Sequence, residues 1–211
     1  MSFSNNANFI TFEGIDGCGK STQARMLLDV LNKTHSIETI LVREPGGTTI
    51  SESIREILLH SNRGELGDRS ESLLMTASRA QLTQDVIIPN LELGKCVIAD
   101  RYSDSTLAYQ GGGRGIDIDW LIDLNNYATF ALVPDITFLI DIRPEEALRR
   151  LDQSTDRIEG EGIEFQVRVR KTYHDLAEKF QDRYVLLDGH NKIDDIQEKL
   201  LNEMKRRGLI S

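Results

Sequence analysis

The sequence contains few of the residues that distinguish secreted, metal-clustered or membrane proteins. Its 211 residues include two cysteines, four prolines and one tryptophan. Cys18 and Cys96 are too few for a disulfide framework or a metal cluster. No apolar run approaches the ~20 residues that cross a bilayer, and the first eight residues lack the basic start and apolar centre of a signal peptide. We therefore expect a cytoplasmic protein without a membrane-spanning segment.

Positive charge is also scarce. The chain has 25 Lys and Arg residues against 34 Asp and Glu residues, a net charge of −9, which argues against a nucleic-acid-binding surface. Its 39% apolar and 28% charged residues are ordinary for a globular protein. Because no repeat, low-complexity tract or Pro/Gly-rich linker divides the chain, we expect a single domain over residues 1–211.

The strongest chemical signal is a glycine-rich stretch near the start of the chain. It matches G-x-x-x-x-G-K-S, follows an apolar run and precedes a segment with helical spacing, Gln23 to Asn32. Such a loop turns its backbone N–H groups toward a phosphate at a helix N-terminus. Lys20 is expected to reach the β- and γ-phosphates, and the Ser21 hydroxyl to ligate Mg²⁺. The residues expected to bind ATP are Gly14, Ile15, Asp16, Gly17, Cys18, Gly19, Lys20, Ser21 and Thr22.

Short apolar segments alternate with helical segments along the whole chain. This pattern predicts an α/β fold with a parallel five-stranded sheet and helices on both faces, the P-loop NTPase or kinase fold. Ligands of such sheets bind at the carboxyl ends of the strands, so the charged residues there are candidates for the site. The predicted strands are Phe9–Glu13, Thr39–Arg43, Cys96–Asp100, Ile136–Asp141 and Tyr184–Asp188.

The segment from Ser70 to Asn90 has helical periodicity. An apolar stripe is predicted to face the core, formed by Leu73, Leu74, Ala77, Leu82, Val86 and Ile87. Met75 and Arg79 are four residues apart and share a different face. The pair could hold a flat base and its exocyclic oxygen, or could simply lie on the surface.

Three later segments also suggest parts of a site. The strand that ends at Asp100 resembles a Walker B strand, whose carboxylate works near Mg²⁺, with Arg101 in the cleft; a buried structural Asp–Arg pair is the alternative. Three consecutive glycines, 111–113, indicate a mobile or tight loop. Residues 152–162 are almost free of apolar side chains and are expected to form a short mobile lid.

Residues 191–194 read N-K-x-D, the guanine-reading motif of GTPases. In that class the motif directly ends a strand, whereas here Asp188, Gly189 and His190 intervene. We interpret it as a chance match.

The motifs together resemble those of bacterial thymidylate kinases over nearly the whole chain. The most specific are Arg43-Glu44-Pro45-Gly46-Gly47-Thr48 and Tyr109-Gln110-Gly111-Gly112-Gly113-Arg114. The resemblance implies transfer of the γ-phosphoryl group of ATP to dTMP, with Mg²⁺, in a homodimer. It implies catalytic roles for Lys20, Arg101 and Asp16, with Arg101 on the acceptor phosphate and Arg79 donating to thymine O4. The residues implied to bind dTMP are Asp16, Glu44, Pro45, Arg55, Met75, Arg79, Arg101, Ser105, Thr106, Tyr109 and Gln110, and those near the metal are Ser21 and Asp100.

Two positions depart from the family pattern. Met75 replaces the usual Phe that stacks on thymine. Gly17 stands where some members carry a catalytic arginine, so we expect the lid region to supply that charge through Arg150 and Arg157, with Arg149 near the adenine. Two alternatives stay open: a kinase for another nucleoside monophosphate, and a nucleotide-switched binding protein.

Overall fold

The computed structural model describes residues 8–61, 64–150 and 159–210. Its centre is a five-stranded, wholly parallel sheet with the order β2-β3-β1-β4-β5. The strands are β1 (Phe9–Glu13), β2 (Thr39–Arg43), β3 (Cys96–Asp100), β4 (Ile136–Asp141) and β5 (Tyr184–Asp188). All five agree with the predicted bounds, because each is a short apolar run that stops at a charged residue.

The register of the sheet brings the charged strand ends to one edge. Within β1, every residue is buried, as expected for a strand covered on both faces. Phe12 lies opposite Asp100 of β3, and Glu13 lies opposite Leu139 of β4. Arg43 of β2 lies opposite Asp100 from the other side. Side chains from three strands are therefore placed beside the phosphate loop, Gly14–Ser21.

Helices cover both faces of the sheet, and all described elements pack around it. They are α1 (Lys20–Lys33), α2 (Thr49–His60), α3 (Asp68–Leu82), α4 (Ile88–Glu92), α5 (Ser103–Thr106), α6 (Ile118–Ala128), α7 (Pro144–Arg150), α8 (Ile163–Lys179) and α9 (Ile193–Arg206). No helix among the described ranges is long and apolar enough to cross a membrane.

The prediction for the Ser70–Asn90 helix is partly wrong. The segment is interrupted by a π-helical turn at Thr83–Ile87 between α3 and α4. The first part of the predicted apolar stripe does not face the core, since Leu73 is 51% exposed and Ala77 is also exposed. The buried face of α3 is instead polar and includes Glu71, Ser72, Thr76 and Arg79. The reason is that α3 borders the site described below, where polar groups find buried partners.

The triple glycine does not form a mobile loop. It ends a π-helical turn, Leu107–Gly113, that packs against α8. A Cβ atom at Gly112 would lie 1.9 Å from Oγ1 of Thr172, so glycine is required by this close approach. Most of the predicted lid, together with Arg157, lies outside the described residues.

Candidate active site

The phosphate loop joins the end of β1 to the start of α1. Gly14 has φ of +137°, and a Cβ atom there would lie 2.5 Å from the Ile140 carbonyl oxygen of β4. Only glycine tolerates both the conformation and the contact. The side chain of Cys18 is buried, and burial raises the pKa of its thiol. Cys18 is therefore a small filler residue here rather than an oxidant-accessible thiol.

Asp16 of this loop contacts two cations at once. Its Oδ1 lies 3.4 Å from Nζ of Lys20 and 2.5 Å from Nη2 of Arg101, and its Oδ2 accepts from the Tyr109 hydroxyl at 2.8 Å. Burial raises the pKa of Asp16, but the charges of Arg101 and Lys20 outweigh it, so the pKa lies well below its ordinary value. Asp16 is thus an ionised carboxylate between two positive side chains.

Arg101 follows β3 and is held from several sides. Its φ is +75°, a conformation that costs free energy for a residue with a side chain. Its Nη1 donates to the Gly14 carbonyl, and its Nη2 donates to the Tyr109 hydroxyl at 2.9 Å. The guanidinium also lies 4.8 Å from the centre of the Tyr109 ring. Its ion-pair partner is Asp16, so the alternative of a simple Asp100–Arg101 pair is wrong.

Arg79 is buried rather than lying on the surface. Only 2% of it is exposed, and its Nε and Nη2 contact Oε2 of Glu44 at 2.7 and 2.6 Å. Its Nη1 donates to Thr106 and Asn125, and its Nη2 donates to the Tyr102 carbonyl. Each N–H of this guanidinium therefore faces a protein oxygen. Burial raises the pKa of Glu44 to about 7, against the opposing charge of Arg79.

These groups surround a cavity of about 240 Å³. All eleven residues that the resemblance assigned to dTMP line it, together with Lys20, Ser21 and Asp100. The volume is of the order expected for a small-molecule site. Arg43 also lines the cavity, as its charged position at a strand end predicted. Sequence reasoning missed two lining residues, Arg25 and Leu59, which follow no motif.

Asp100 and Ser21 lie on the same cavity wall. The Oδ1 atom of Asp100 is buried and has no hydrogen-bond partner among the described residues. A buried carboxylate oxygen without a partner costs free energy unless a cation or donor satisfies it. Among those residues no group of three or more His, Cys, Asp or Glu is arranged to hold a metal ion. One carboxylate with one hydroxyl suits Mg²⁺, which takes most of its ligands from water and phosphate.

A second cavity lies on the other side of the phosphate loop. It is lined by Gly17, Cys18, Gly19, Thr22, Gln23, Arg150, Gly189, Asn191, Lys192, Ile193 and Ile196. Arg150 donates to the Gly189 carbonyl at 3.2 Å, and Gln23 donates to the Ile193 carbonyl at 2.8 Å. Arg149 is exposed on α7 and is not among the residues that line this second cavity. Much of the N-K-x-D segment does line it, although Asp194 is exposed on α9.

The fold and the two cavities define a class of protein. A phosphate loop stands between two cavities at the carboxyl edge of a parallel sheet, with cations from the loop and from β3 facing one of them. This is the arrangement of a P-loop kinase that acts on a small phosphorylated acceptor.

Comparison with known proteins identifies the family. A sequence profile described as thymidylate kinase matches residues 12–200. Thymidylate kinase of Chlorobium phaeobacteroides is 44% identical over 209 residues, 94% of each chain. Thymidylate kinase of Thermosipho africanus is 49% identical and covers 89% of this chain and 92% of its own. The chain therefore belongs to the thymidylate kinase family, whose members phosphorylate dTMP to dTDP with ATP.

A solved structure supports the same assignment. The crystal structure of thymidylate kinase from Ehrlichia chaffeensis aligns with a TM-score of 0.80 and 34% identity, over 94% of this chain and 99% of that chain. The predicted α/β fold and the predicted family are both confirmed. The kinase interpretation is thereby favoured over that of a nucleotide-switched binding protein.

Proposed function

We propose that this chain transfers the γ-phosphoryl group of ATP to dTMP, with dTMP in the 240 Å³ cavity and the ATP phosphates on the phosphate loop. The observation that carries the assignment is the contact of Asp16 with both Lys20 and Arg101. One of these cations belongs to the loop, and the other stands at the acceptor cavity. The Asp16 carboxylate fixes the separation of Lys20 and Arg101. The transferred phosphate of ATP and the phosphate of dTMP therefore meet with their negative charges already neutralised.

The acceptor needs no general base. The second pKa of a phosphate monoester is about 6, so dTMP presents an ionised oxygen at neutral pH. Arg101 holds that phosphate, and Lys20 neutralises the charge that develops on the transferred group. Tyr109 is 5% exposed, and its ring lies under the Arg101 guanidinium. The resemblance to thymidylate kinases assigns Tyr109 a position beneath the sugar, where a ribose 2′-hydroxyl would be crowded.

Asp100 and Ser21 are the residues that would hold Mg²⁺. The buried, unpartnered Oδ1 of Asp100 is the observation that favours this site. A Mg²⁺ ion held there would supply positive charge against the negative charge that develops on the phosphates during transfer. The chain itself orients these oxygens through β3 and the start of α1.

Base recognition involves Met75 and the Arg79 network. Met75 is partly buried against the core and covers one face of the base. Arg79 remains our candidate donor to thymine O4. Because each of its N–H groups already faces Glu44, Thr106, Asn125 or Tyr102, that bond must be shared with, or replace, an existing one.

The base of ATP is assigned to the second cavity, between the phosphate loop and residues 189–193. Arg150 lies on its wall and is a candidate for contact with ATP as well as for the missing catalytic charge. The lid, about 152–162, and the roles of Arg157 and Arg149 remain predictions. Arg150→Ala and Arg157→Ala test them: at least one is expected to lower kcat about 30-fold or more, ~2 kcal/mol, with KM for dTMP little changed. Near-wild-type rates in both would exclude a catalytic lid arginine.

We further propose a homodimer in the cytoplasm, where both nucleotide substrates occur. Its support is a set of large apolar side chains left exposed on α2, α3 and α6; α2 packs against α3, and α3 packs against α6. The exposed residues include Ile50, Ile57, Leu73, Trp120 and Tyr127, and we infer that they form one patch, which would be unusual for a free surface. Light scattering is expected to give a dimer, and Leu73→Glu a monomer, while the control Leu93→Glu leaves the mass unchanged. A monomeric wild-type chain would contradict the proposal.

The proposed reaction is tested by an acceptor screen with ATP and Mg²⁺. dTMP, dUMP, CMP, AMP and GMP are compared by kcat/KM, and dTMP is expected to be the best acceptor. Best turnover of a purine monophosphate would overturn the acceptor assignment. ATP hydrolysis without any acceptor preference would overturn the kinase assignment.

A further inference from the structure

Glu13 is a buried acid that the proposed reaction does not use. It ends β1, directly before the phosphate loop, and 0% of it is exposed. Its Oε2 accepts from the Ser105 hydroxyl at 2.6 Å and from the Tyr173 hydroxyl at 2.7 Å. A buried carboxylate is costly unless it is well hydrogen-bonded, so its presence beside the site calls for a function.

The two hydroxyls that contact Glu13 also contact Arg101. Nη1 of Arg101 donates to Oγ of Ser105 at 3.1 Å and to the Tyr173 hydroxyl at 3.3 Å. Each hydroxyl has a single proton, and the two oxygens lie 3.0 Å apart. Burial raises the pKa of Glu13, and the charge of Arg101 opposes that rise. In its ionised form Glu13 can only accept, so it draws both protons toward itself. The lone pairs of both hydroxyls are thereby turned toward Arg101.

Glu13 also holds the backbone beside Arg101. Its Oε1 accepts from the backbone N–H of Tyr102 at 2.8 Å. The preceding residue is Arg101, whose φ of +75° costs free energy and requires support from its surroundings. The same carboxylate therefore constrains both the main chain and the guanidinium of Arg101.

We propose that Glu13 is a positioning residue, which acts through Ser105 and Tyr173 to aim Arg101 at the phosphate of the acceptor. The proposal rests on the role assigned to Arg101 in the proposed function. Tyr173 belongs to α8, 160 positions from Glu13 in the sequence, so the arrangement links the phosphate loop, the end of β3 and α8. Burial keeps the pKa of Tyr173 well above its ordinary value, so the phenol retains the proton that it donates.

The test separates phosphate binding from binding of the rest of the nucleotide. Dissociation constants of dTMP and of thymidine, which lacks the phosphate, are measured by calorimetry. The phosphate is the only part of the nucleotide that the proposed function assigns to Arg101, so the affinity ratio of dTMP to thymidine reports its position. Tyr173→Phe removes one oriented acceptor and is expected to lower this ratio about tenfold. The affinity for thymidine should stay within about twofold, which a general loss of structure would not allow.

Glu13→Gln provides the second variant. Its amide N–H₂ donates to one of the two hydroxyls, whose own proton must then turn toward Arg101. The dTMP-to-thymidine affinity ratio is therefore expected to fall at least as far as in Tyr173→Phe. Tyr184→Phe is the matched control, because Tyr184 is a buried tyrosine at the amino end of β5 whose hydroxyl makes no hydrogen bond to Arg101, Ser105 or Tyr173 among the described residues. It should leave the ratio unchanged.

Arg101→Ala distinguishes an error in the role of Arg101 from an error in the positioning role of Glu13. If it leaves the dTMP-to-thymidine ratio unchanged, the role proposed for Arg101 is wrong. If it lowers the ratio but Tyr173→Phe does not, the positioning role of Glu13 is wrong, whether or not Glu13→Gln folds. In the Arg101→Ala background, Tyr173→Phe should cause no further fall; a full additional loss would also overturn the proposal.

Discussion

The carboxylate of Asp16 and the guanidinium of Arg101 form an ion pair, with 2.5 Å between Oδ1 and Nη2. The pair joins the phosphate loop to the residue that follows β3. Since Lys20 contacts the same Oδ1 at 3.4 Å, a single anion sets the spacing of the two cations that flank the proposed reaction centre. The first two predictions follow from this relationship.

Asp16→Asn is expected to lower kcat at least about tenfold, ~1.4 kcal/mol, because both cations lose the anion that aligns them. Steady-state kinetics at saturating ATP and dTMP provide the measurement. Asp29→Asn is the matched control: Asp29 also pairs with a lysine four residues later, at 2.9 Å from Lys33, but both side chains are exposed. Equal rates for Asp16→Asn and Asp29→Asn would contradict the prediction.

Lys20→Ala should abolish turnover while the protein stays folded, since Lys20 acts on charge that develops at the transferred group. The circular dichroism spectrum and the single-turnover rate are compared with those of the wild type. Lys33→Ala, an exposed change at the end of α1, is expected to be neutral. A Lys20→Ala enzyme that retained more than about a tenth of the wild-type kcat would show that the assigned role is wrong.

Arg79→Ala is expected to destabilise the fold by about 3–5 kcal/mol, because it leaves the Glu44 carboxylate buried without its cation. Urea denaturation gives the free energy of unfolding. Adding Glu44→Gln should recover part of the loss, and the double-mutant cycle measures that coupling. Independent, additive effects would count against the buried pair.

Arg79→Ala should also raise KM for dTMP and relax the rejection of dCMP. The physical reason is that a donor near O4 of thymine meets the exocyclic amine of cytosine badly, which leaves buried polar groups unpaired. The ratio of kcat/KM for dTMP to that for dCMP is the measurement. A ratio equal to that of the wild type would mean that Arg79 supports the wall without reading the base.

Glu44 predicts a pH dependence of stability. Its pKa is raised by burial from an ordinary value near 4.5 to about 7. Between these values the folded state binds more protons than the unfolded state, so this group makes stability fall as pH rises through that interval. Glu44→Gln removes the effect, and the free energy of unfolding of the variant relative to wild type should rise from pH 4.5 to 7. If the difference in free energy of unfolding between Glu44→Gln and wild type did not change with pH, the raised pKa of Glu44 would be contradicted.

Met75→Phe is expected to tighten dTMP binding by less than the ~1–3 kcal/mol that removal of base stacking costs, because we propose that Met75 already covers part of the ring. Calorimetry with dTMP gives the affinity. A clear loss of affinity would mean that the cavity is shaped around Met75 and that the base stacks elsewhere.

The sequence by itself determined the strands and the phosphate loop. Each strand is a local signal, an apolar run ended by a charge, and the parallel topology then brings those charges to one edge. The glycine-lysine-serine pattern is equally local. The eleven residues that the resemblance to thymidylate kinases assigned to dTMP all line one cavity, although they come from distant parts of the chain.

Only the tertiary structure decided which face of α3 is buried and what surrounds the arginines. Periodicity favoured Leu73 and Ala77 for the core, yet both are exposed. The reason is that the polar face of α3 is buried at the site, where its polar groups form hydrogen bonds. The contacts of Glu13 with Tyr173 and of Arg79 with Asn125 join residues 160 and 46 positions apart. Such pairings depend on packing between elements, for which a single sequence carries no local signal.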